Sequence, residues 1–268
     1  MQQRVVTLLS DFGLKDPYVS EMKAVILSGY PQAEIIDITH QIDRFNVRMG
    51  AFQLACATPY FPKGTVHMAI VDPGVGTKRR PIVVETTRNH LVGPDNGLLI
   101  LAALKEGLKH VYVIENPRFI LPKVSNTFHG RDIFAPATAH LASGRAAAEF
   151  GDEISDYEVP DFAEPRLEKG VIFGEILHVD SFGNIITNIP SEYLSKLHIH
   201  ENTRLKAAIG NETTVLRFCS TYGNVPIGGS LAIVGSHDFL EVSVNQGNAA
   251  KLFSVRSGEP ISIGLNYG

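Results

Sequence analysis

Cysteine and long apolar runs are scarce in this chain, and each scarcity excludes a class of protein. Cys56 and Cys219 are the only cysteines and form no C-x-x-C pattern, so we expect no disulfide framework and a reducing compartment. No apolar run approaches the ~20 residues that a membrane span requires. The first apolar run, RVVTLL, is followed by Asp11 and is too short for a signal peptide. The sequence therefore predicts a cytoplasmic protein with no membrane partner.

An excess of positive charge is also lacking. The 268 residues carry a formal net charge of −4, so no global basic field attracts nucleic acid. Apolar residues make up 44% of the chain, which is enough for a substantial core in one or two domains. We expect a folded protein without a nucleic-acid partner.

Several catalytic and nucleotide-binding signatures are missing as well. The segment VDPGVGTKRR (71–80) lacks the Lys-Ser/Thr pair of a phosphate loop and the third glycine of a dinucleotide fingerprint. The ten histidines form no H-E-x-x-H motif, and there is no paired Cys/His spacing and no G-x-S-x-G elbow. We therefore predict no metal and no cofactor, and the pattern disfavours NAD and ATP chemistry.

The first half of the chain alternates short apolar runs with helical patterns such as YVSEMKAVILSGY. Strands are predicted at 4–9, 34–39, 65–72, 81–86, 90–95 and 110–115. Strands that alternate with helices are typical of a sheet with helices packed on its faces. We assign residues 1–162 to an α/β domain with a mostly parallel or mixed sheet flanked by helices.

The pattern changes after the proline- and charge-rich stretch VPDFAEPRLEKG, in which we place a linker at 163–170. Residues 171–268 contain short strand patterns that include a hairpin around Gly210-Asn211 and the runs SLAIVG, FLEVSV and KLFSV. Only SEYLSKL has a clear helical pattern there. These features predict an all-β, barrel-like second domain.

Polar clusters follow three of the predicted strands of the first domain. They are SDFG after RVVTLL, VDPGVGTKRR after TVHMAI, and GPDNG after HLV. Ligands of open α/β sheets bind outside the carboxyl ends of the strands. This edge of the sheet is therefore the predicted site, although a tight turn with solvated arginines is an alternative interpretation of 71–80.

His129 precedes a predicted helix in which Asp132 is the expected N-cap, Pro136 lies in the first turn and Gly144 ends the helix. A helix N-terminus disfavours the protonated imidazole, so a neutral His129 could contact a water or an anion. A loop histidine packed for structural reasons is the alternative.

In VDSFGN (179–184), Asp180 offers a charge partner for an amine and Asn184 a hydrogen-bonding group for a purine edge. The alternative interpretation of this segment is a bulge or turn in a strand.

Six segments, in order along the chain, together resemble one family. They are SDFG (10–13), VDPGVGTKRR (71–80), GPDNG (93–97), TFHGRD (127–132), VDSFGN (179–184) and GSHDFLEVSVNQGNAA (235–250). The set resembles the S-adenosylmethionine hydroxide adenosyltransferases, or SAM hydrolases, which are relatives of fluorinase and chlorinase. The resemblance spans nearly the whole chain. It implies an N-terminal α/β domain, a C-terminal β-barrel, and attack of water at ribose C5′ of S-adenosyl-L-methionine to give adenosine and L-methionine.

The resemblance also implies roles for individual residues. Asp72, Arg79 and His129 would be the catalytic trio. Asp11 would contact the ribose hydroxyls, Asp180 the methionine amine and Asn184 the adenine edge. Ser236 would bind the methionine carboxylate. The rest of the pocket would be formed by Phe128, Tyr222 and the backbone near Ala249, with Glu241 as a secondary candidate. Members of the family are similar to one another in forming homotrimers, with sites between the first domain of one subunit and the second domain of the next.

Three positions favour water over halide as the nucleophile. Halogenating relatives carry an aromatic residue in place of Asp72 or His129 and a serine at the position of Gly130. His237 stands where they use an arginine on the substrate carboxylate, so we expect that contact to differ. The alternatives to hydrolysis of S-adenosylmethionine are a chloride adenosyltransferase activity and a non-catalytic protein that binds adenosine or S-adenosylmethionine.

Overall fold

A computed structural model describes residues 4–266 of the chain. The chain forms two compact units, and the boundary between them lies between Pro160 and Asp161. This boundary is two residues before the predicted end of the first domain at residue 162. A short strand, β7 (Arg166–Glu168), lies inside the stretch 163–170 that the sequence predicts as a linker.

The first unit is built on a six-stranded mixed sheet. Its strands are β1 (Val5–Ser10), β2 (Glu34–Thr39), β3 (Val66–Ile70), β4 (Pro81–Thr86), β5 (His90–Pro94) and β6 (Leu108–Val113). The spatial order is β2-β1-β3-β5-β4-β6, in which β1, β2, β3 and β5 are parallel and β4 is antiparallel to both of its neighbours. The interior strands β1 and β3 are buried on both faces, and the continuous apolar run RVVTLL is typical of such a strand. The run VYVI is also typical of an interior strand, but it belongs to β6 at the edge of the sheet.

Four helices flank this sheet: α1 (Tyr18–Gly29), α2 (Val47–Ala57), α3 (Ile100–Lys105) and α4 (Ala135–Ala142). Helices α1 and α4 pack so closely that a Cβ at Gly29 would lie 2.8 Å from the Ala139 Cβ. Helix α4 has Pro136 in its first turn and ends just before Gly144, whose φ is +102°, as the sequence predicts. The predicted α/β class of the first domain is confirmed.

The second unit is a closed β-barrel. Its further strands are β8 (Val171–Val179), β9 (Ile185–Pro190), β10 (Arg204–Ile209), β11 (Glu212–Phe218), β12 (Ser230–Val234), β13 (Phe239–Val244) and β14 (Pro260–Leu265). Seven strands follow in the order β14-β10-β11-β12-β13-β9-β8, and β8 pairs again with β14 to close the ring. Strand β7 pairs with β8 outside the ring. The predicted barrel-like all-β class is confirmed.

Two short helices, α5 (Ser191–Lys196) and α6 (Ala249–Leu252), accompany the barrel. Helix α5 and the hairpin at Gly210-Asn211 were predicted, and Ile209 pairs with Glu212 across that turn. The predicted strand KLFSV (251–255) is wrong, because its first residues belong to α6. The Asn248 side chain accepts a hydrogen bond from Lys251 N and so starts a helix there. Within residues 4–266, no helix is long and apolar enough to cross a membrane.

His67 in β3 makes the stability of the first unit dependent on pH. Its side chain is fully buried, its Nδ1 lies 2.7 Å from Thr7 Oγ1 of β1, and burial lowers its pKa to about 3. In the unfolded chain the pKa is near its ordinary value of 6.5, so below that pH the unfolded state binds a proton that the folded state does not. The free energy of unfolding therefore falls as the pH is lowered, by up to about 1.4 kcal/mol per unit for this one group.

We predict that His67→Leu has a shallower loss of stability between pH 6.5 and about 3 than the unmodified chain. Urea denaturation at a series of pH values measures both slopes. The comparison removes the contribution of the other histidines, because these are shared by both proteins. Identical slopes would contradict the assignment of this proton uptake to His67.

Candidate active site

A cavity of about 450 Å³ lies at the carboxyl edge of the sheet in the first unit. Strands β1 and β3 are parallel, and Ser10 at the end of β1 pairs with Ile70 at the end of β3. The loops that follow these two strands therefore leave the sheet side by side. Asp11, Asp72, Phe128 and His129 all line the cavity.

Arg79 binds Asp72 through both arms of its guanidinium group. Its Nε donates to Asp72 Oδ1 over 3.0 Å, and its Nη2 donates to Asp72 Oδ2 in a short contact. The two side chains are 6% and 5% exposed, and the Arg79 guanidinium lies 5.3 Å from the centre of the Phe134 ring. A bidentate, nearly dry ion pair of this kind fixes the orientation of both side chains.

The same Nη2 atom of Arg79 lies 3.1 Å from His129 Nδ1. Arginine has only donors, so Nδ1 accepts this hydrogen bond and the neutral imidazole carries its proton on Nε2. Burial is the largest cause that lowers the pKa of His129 below its ordinary value, followed by the charge of Arg79, while Asp72 and Asp132 act in the opposite direction. His129 is therefore a neutral donor at Nε2.

The loop 71–80 returns on itself and brings Arg79 back to Asp72. Val75 N donates to Asp72 O and Thr77 N donates to Gly74 O, which form the two successive turns. Gly76, at φ +76°, approaches the neighbouring loop so closely that a Cβ there would lie 2.3 Å from Asn126 O. Glycine at this position permits the backbone contact between the loop of Arg79 and the loop of His129.

Asp132 is not the N-cap that the sequence predicts. Residues 130–134 form a π-helical turn before α4, and no side chain caps the start of either element. The carboxylate of Asp132 is 1% exposed and accepts hydrogen bonds from Ser125 N and Arg131 Nε. Ser125 Oγ in turn accepts from Phe128 N. The side chain of Asp132 therefore binds the start of the loop that carries Phe128 and His129, and so fixes the shape of that loop.

Asp11 and a group of aromatic rings form another wall of the cavity. Asp11 Oδ2 accepts a hydrogen bond from Phe45 N over 2.9 Å. Phe12, Tyr18 and Phe128 are in mutual contact, with ring centres 5.1 to 5.7 Å apart. Phe45 lines the cavity and is 67% exposed, yet sequence reasoning missed it. An aromatic residue in the loop that follows β2 is the signal that would have indicated it.

In the second unit, Asp180 and Asn184 are paired within the turn between β8 and β9. Asp180 Oδ1 accepts from Phe182 N and Asn184 N, and Asp180 Oδ2 accepts from Asn184 Nδ2, each over 2.9 Å. The turn predicted as the alternative for VDSFGN is therefore formed. With its amide nitrogen bound to Asp180, Asn184 offers an acceptor oxygen to a ligand.

Tyr222 and Glu241 form a second pair in this unit, since the Tyr222 hydroxyl donates to Glu241 Oε2 over 3.2 Å. Burial, followed by the charge of Glu241, raises the pKa of Tyr222 to about 12. Burial also raises the pKa of Glu241, and the charge of Asp180 adds to this effect. Glu241 in β13 pairs with Ile186 in β9, two residues after Asn184, so the two pairs lie at neighbouring strands.

Ser236 and Ala249 flank these pairs. A Cβ at Gly235 would lie 1.7 Å from Glu241 Oε1, so the residue before Ser236 is packed against Glu241. Ser236 Oγ lies 3.5 Å from His237 Nδ1. Ala249 is fully buried at the start of α6, and the next residue, Ala250, donates its N–H to Gly183 O in the turn after Asp180. Within each unit, the residues predicted for the site thus lie in one neighbourhood.

Comparisons with known proteins match both units to one family. The model of the SAM hydroxide adenosyltransferase N-terminal domain matches residues 6–151, and that of the C-terminal domain matches residues 174–262. A protein of Thermus thermophilus named (R)-S-adenosyl-L-methionine hydrolase is 38% identical, with 97% of this chain and 99% of that protein covered. A protein of the same name from Methanocaldococcus jannaschii is 36% identical, with 97% and 95% covered.

More distant relatives and solved structures agree with this match. A fluorinase of Actinoplanes sp. is 27% identical, with 97% of each chain covered. The crystal structure of an uncharacterized conserved protein from Thermotoga maritima is 40% identical and superposes with a TM-score of 0.86, with 97% of this chain and 99% of that chain covered. The crystal structure of a conserved hypothetical protein from Thermus thermophilus is 36% identical, with a TM-score of 0.78 and the same coverage.

We predict that His129 is neutral with its proton on Nε2 at pH 6.5. Its ring nitrogen shifts in an NMR titration of 15N-histidine-labelled protein measure both properties. Arg79→Gln should raise the pKa of His129, because it removes the positive charge while burial remains. A protonated ring at this pH, or a proton on Nδ1, would contradict the geometry described.

Proposed function

The chain belongs to the SAM hydroxide adenosyltransferase family, and we propose that it hydrolyses S-adenosyl-L-methionine to adenosine and L-methionine by attack of water at ribose C5′. The observation that carries this proposal is that Asp72 and His129, both bound to Arg79, line one cavity together with Asp11 and Phe128. We assign catalysis to the first three residues and substrate binding to the other two.

The leaving group places few demands on the protein. The sulfur of S-adenosylmethionine is a cation and departs as a neutral thioether, so no general acid is needed. The reaction requires a strong nucleophile, and water at neutral pH is a weak one. The residues around the attacking water therefore carry the catalysis.

Asp72 and His129 both line the cavity and can hold that water. We assign the water oxygen to the Nε2–H group of His129 and one water proton to the carboxylate of Asp72. Arg79 binds both side chains, fixes their positions and adds positive charge that stabilises developing hydroxide character. Asp72 then accepts the proton, since His129 Nε2 already carries one and Nδ1 is bound to Arg79.

Charge neutralisation adds to this effect. Hydroxide and sulfonium lose their charges as they combine, so a site that excludes water favours the transition state over the separated ions. Holding the water in line behind C5′ adds a proximity contribution of up to roughly 7–11 kcal/mol in ideal cases. The nearly dry Asp72–Arg79 pair is consistent with a site of this kind.

We assign the ribose hydroxyls to Asp11, whose carboxylate is held by Phe45 N. In the second unit we assign the methionine amine to Asp180 and the 6-amino group of adenine to the acceptor oxygen of Asn184. The methionine carboxylate is assigned to Ser236, with His237 beside it. The remaining proposed contacts are Tyr222, the backbone near Ala249 and, as a secondary candidate, Glu241.

We also propose that the active assembly is a cytoplasmic homotrimer in which neighbouring subunits share sites. Two observations support this. Large apolar side chains are exposed beside the proposed binding residues, among them Leu14 and Phe45 in the first unit and Phe182 in the second. Within the described residues, neither Cys56 nor Cys219 takes part in a disulfide, as is usual in a reducing compartment. Sedimentation equilibrium measures the assembly.

The packing at Gly130 supports water, and not halide, as the proposed nucleophile. A Cβ there would lie 3.0 Å from Met22 Sδ and from Phe128 Cε2, and 3.1 Å from Ile70 Cδ1. A serine at this position would therefore need its neighbours to shift. Chromatography of reactions with and without chloride distinguishes the two activities, and we expect adenosine in both and no chlorinated nucleoside.

We predict that Asp72→Ala, Arg79→Ala and His129→Ala each slow the hydrolysis by about 10²-fold or more, because each removes a group that holds, orients or deprotonates the water. Release of adenosine measures the rates.

The matched controls are Asp156→Ala, Lys78→Ala and His110→Ala, which remove residues of the same charge types at exposed positions of the same unit. Near-normal rates in the three test variants, or equal losses in the controls, would contradict the assignment.

We predict that Gly76→Ala also lowers kcat, because its Cβ would collide with Asn126 O and separate Arg79 from His129. Gly64→Ala is the matched control, since Gly64 has φ +89° but no atom within 4 Å of its Cβ position. Both variants incur a backbone strain of about 1–2 kcal/mol, which thermal unfolding measures. A loss of kcat that is equal in the two variants would show that strain alone is responsible.

A further inference from the structure

A second histidine, His40, lies buried behind the loop that carries Asp11. A register shift between β1 and β2 pairs Leu8 with Asp37 but Leu9 with Thr39, so that one residue of β2 is bulged. The shift brings His40, which directly follows β2, beside Ser10 at the end of β1. Ser10 is fully buried and His40 is 4% exposed.

The hydrogen bonds around this histidine have a defined direction. His40 Nε2 lies 3.2 Å from Asp37 Oδ1 in a contact that lacks hydrogen-bond geometry. The nearby carboxylate favours a proton on Nε2, so Nδ1 accepts from the Ser10 hydroxyl over 2.7 Å. Ser10 Oγ then accepts from Phe12 N over 3.3 Å. Burial lowers the pKa of His40, which favours this neutral form.

The main chain of His40 also binds the loop that carries Asp11. The carbonyl oxygen of His40 accepts from Gly13 N over 2.8 Å. Residues 10–13, the SDFG segment, are therefore held at both ends by the one residue that directly follows the neighbouring strand β2. Between the two fastenings lie Asp11, which we assign to the ribose, and Phe12, which contacts the ring of Phe128.

We propose that His40 is a positioning residue for substrate capture, which acts through Ser10 to fix Asp11 and Phe12 in the nucleoside pocket. The proposal rests on the assigned function of that pocket. His40 does not touch the reacting atoms, and the trio of Asp72, Arg79 and His129 does not include it. Its loss therefore affects binding of the adenosine moiety more than the chemical step.

The chain supplies a matched control in the pair of His67 and Thr7. This pair also joins a histidine Nδ1 to a hydroxyl of β1 over 2.7 Å, and both side chains are fully buried. It lies within the sheet, three residues before Ser10, and does not fasten the SDFG segment. A variant at His67 thus reports the cost of losing the same bond without a change at the pocket.

The test compares His40→Leu, His40→Asn and His67→Leu in steady-state hydrolysis and in calorimetry with adenosine. We expect His40→Leu to raise KM and the adenosine Kd about tenfold or more, with kcat within about threefold of the unmodified enzyme. His40→Asn should restore most of the affinity, because its side-chain oxygen can accept from Ser10. His67→Leu should lower thermal stability and leave KM unchanged.

Ser10→Ala provides a second route if His40→Leu does not fold, and it should raise KM and Kd in the same way. Unchanged affinity in both variants, or an equal rise in His67→Leu, would overturn the proposal. Absence of hydrolysis by the unmodified chain would instead overturn the proposed function, and the adenosine affinities would still measure the role of His40.

Discussion

The proposed chemistry depends on the buried ion pair between Arg79 and Asp72. Removal of two charges from water costs several kcal/mol each, and their attraction offsets this cost only when the geometry is good. Here the pairing is bidentate, the guanidinium lies on the Phe134 ring, and the turns of the loop 71–80 bring the two residues together. A single orientation of Arg79 results, and this orientation determines what its other atoms can reach.

That orientation also determines the state of His129. Because Nη2 of Arg79 donates to Nδ1, the imidazole is neutral and presents a proton at Nε2. The two loops involved are held in register by backbone packing at Gly76 and by the closure of the second loop through Asp132. The electrostatics of the pocket thus depend on backbone contacts that contain no catalytic group.

The elements of the fold were largely predictable, and so were the polar clusters at the sheet edge. Period and composition indicate strands and helices because burial of an apolar face is a local property of the sequence. The contacts that define the site are not local: 50 residues separate Arg79 from His129, and 30 separate Ser10 from His40.

Asp132 was wrongly expected to cap a helix because its burial against Ser125 depends on a turn that helix propensity does not encode. The roles assigned to Asp72, Arg79 and His129 came from family resemblance and stay proposals.

A double-mutant cycle on kcat tests the central claim most directly, since that claim treats Arg79 and His129 as one unit that orients the attacking water. Groups that act as a unit give non-additive losses when they are removed together. We expect Arg79→Ala combined with His129→Ala to be about as slow as the slower single variant. A double variant whose loss is the product of the two single losses would show that the residues act independently and would contradict this account.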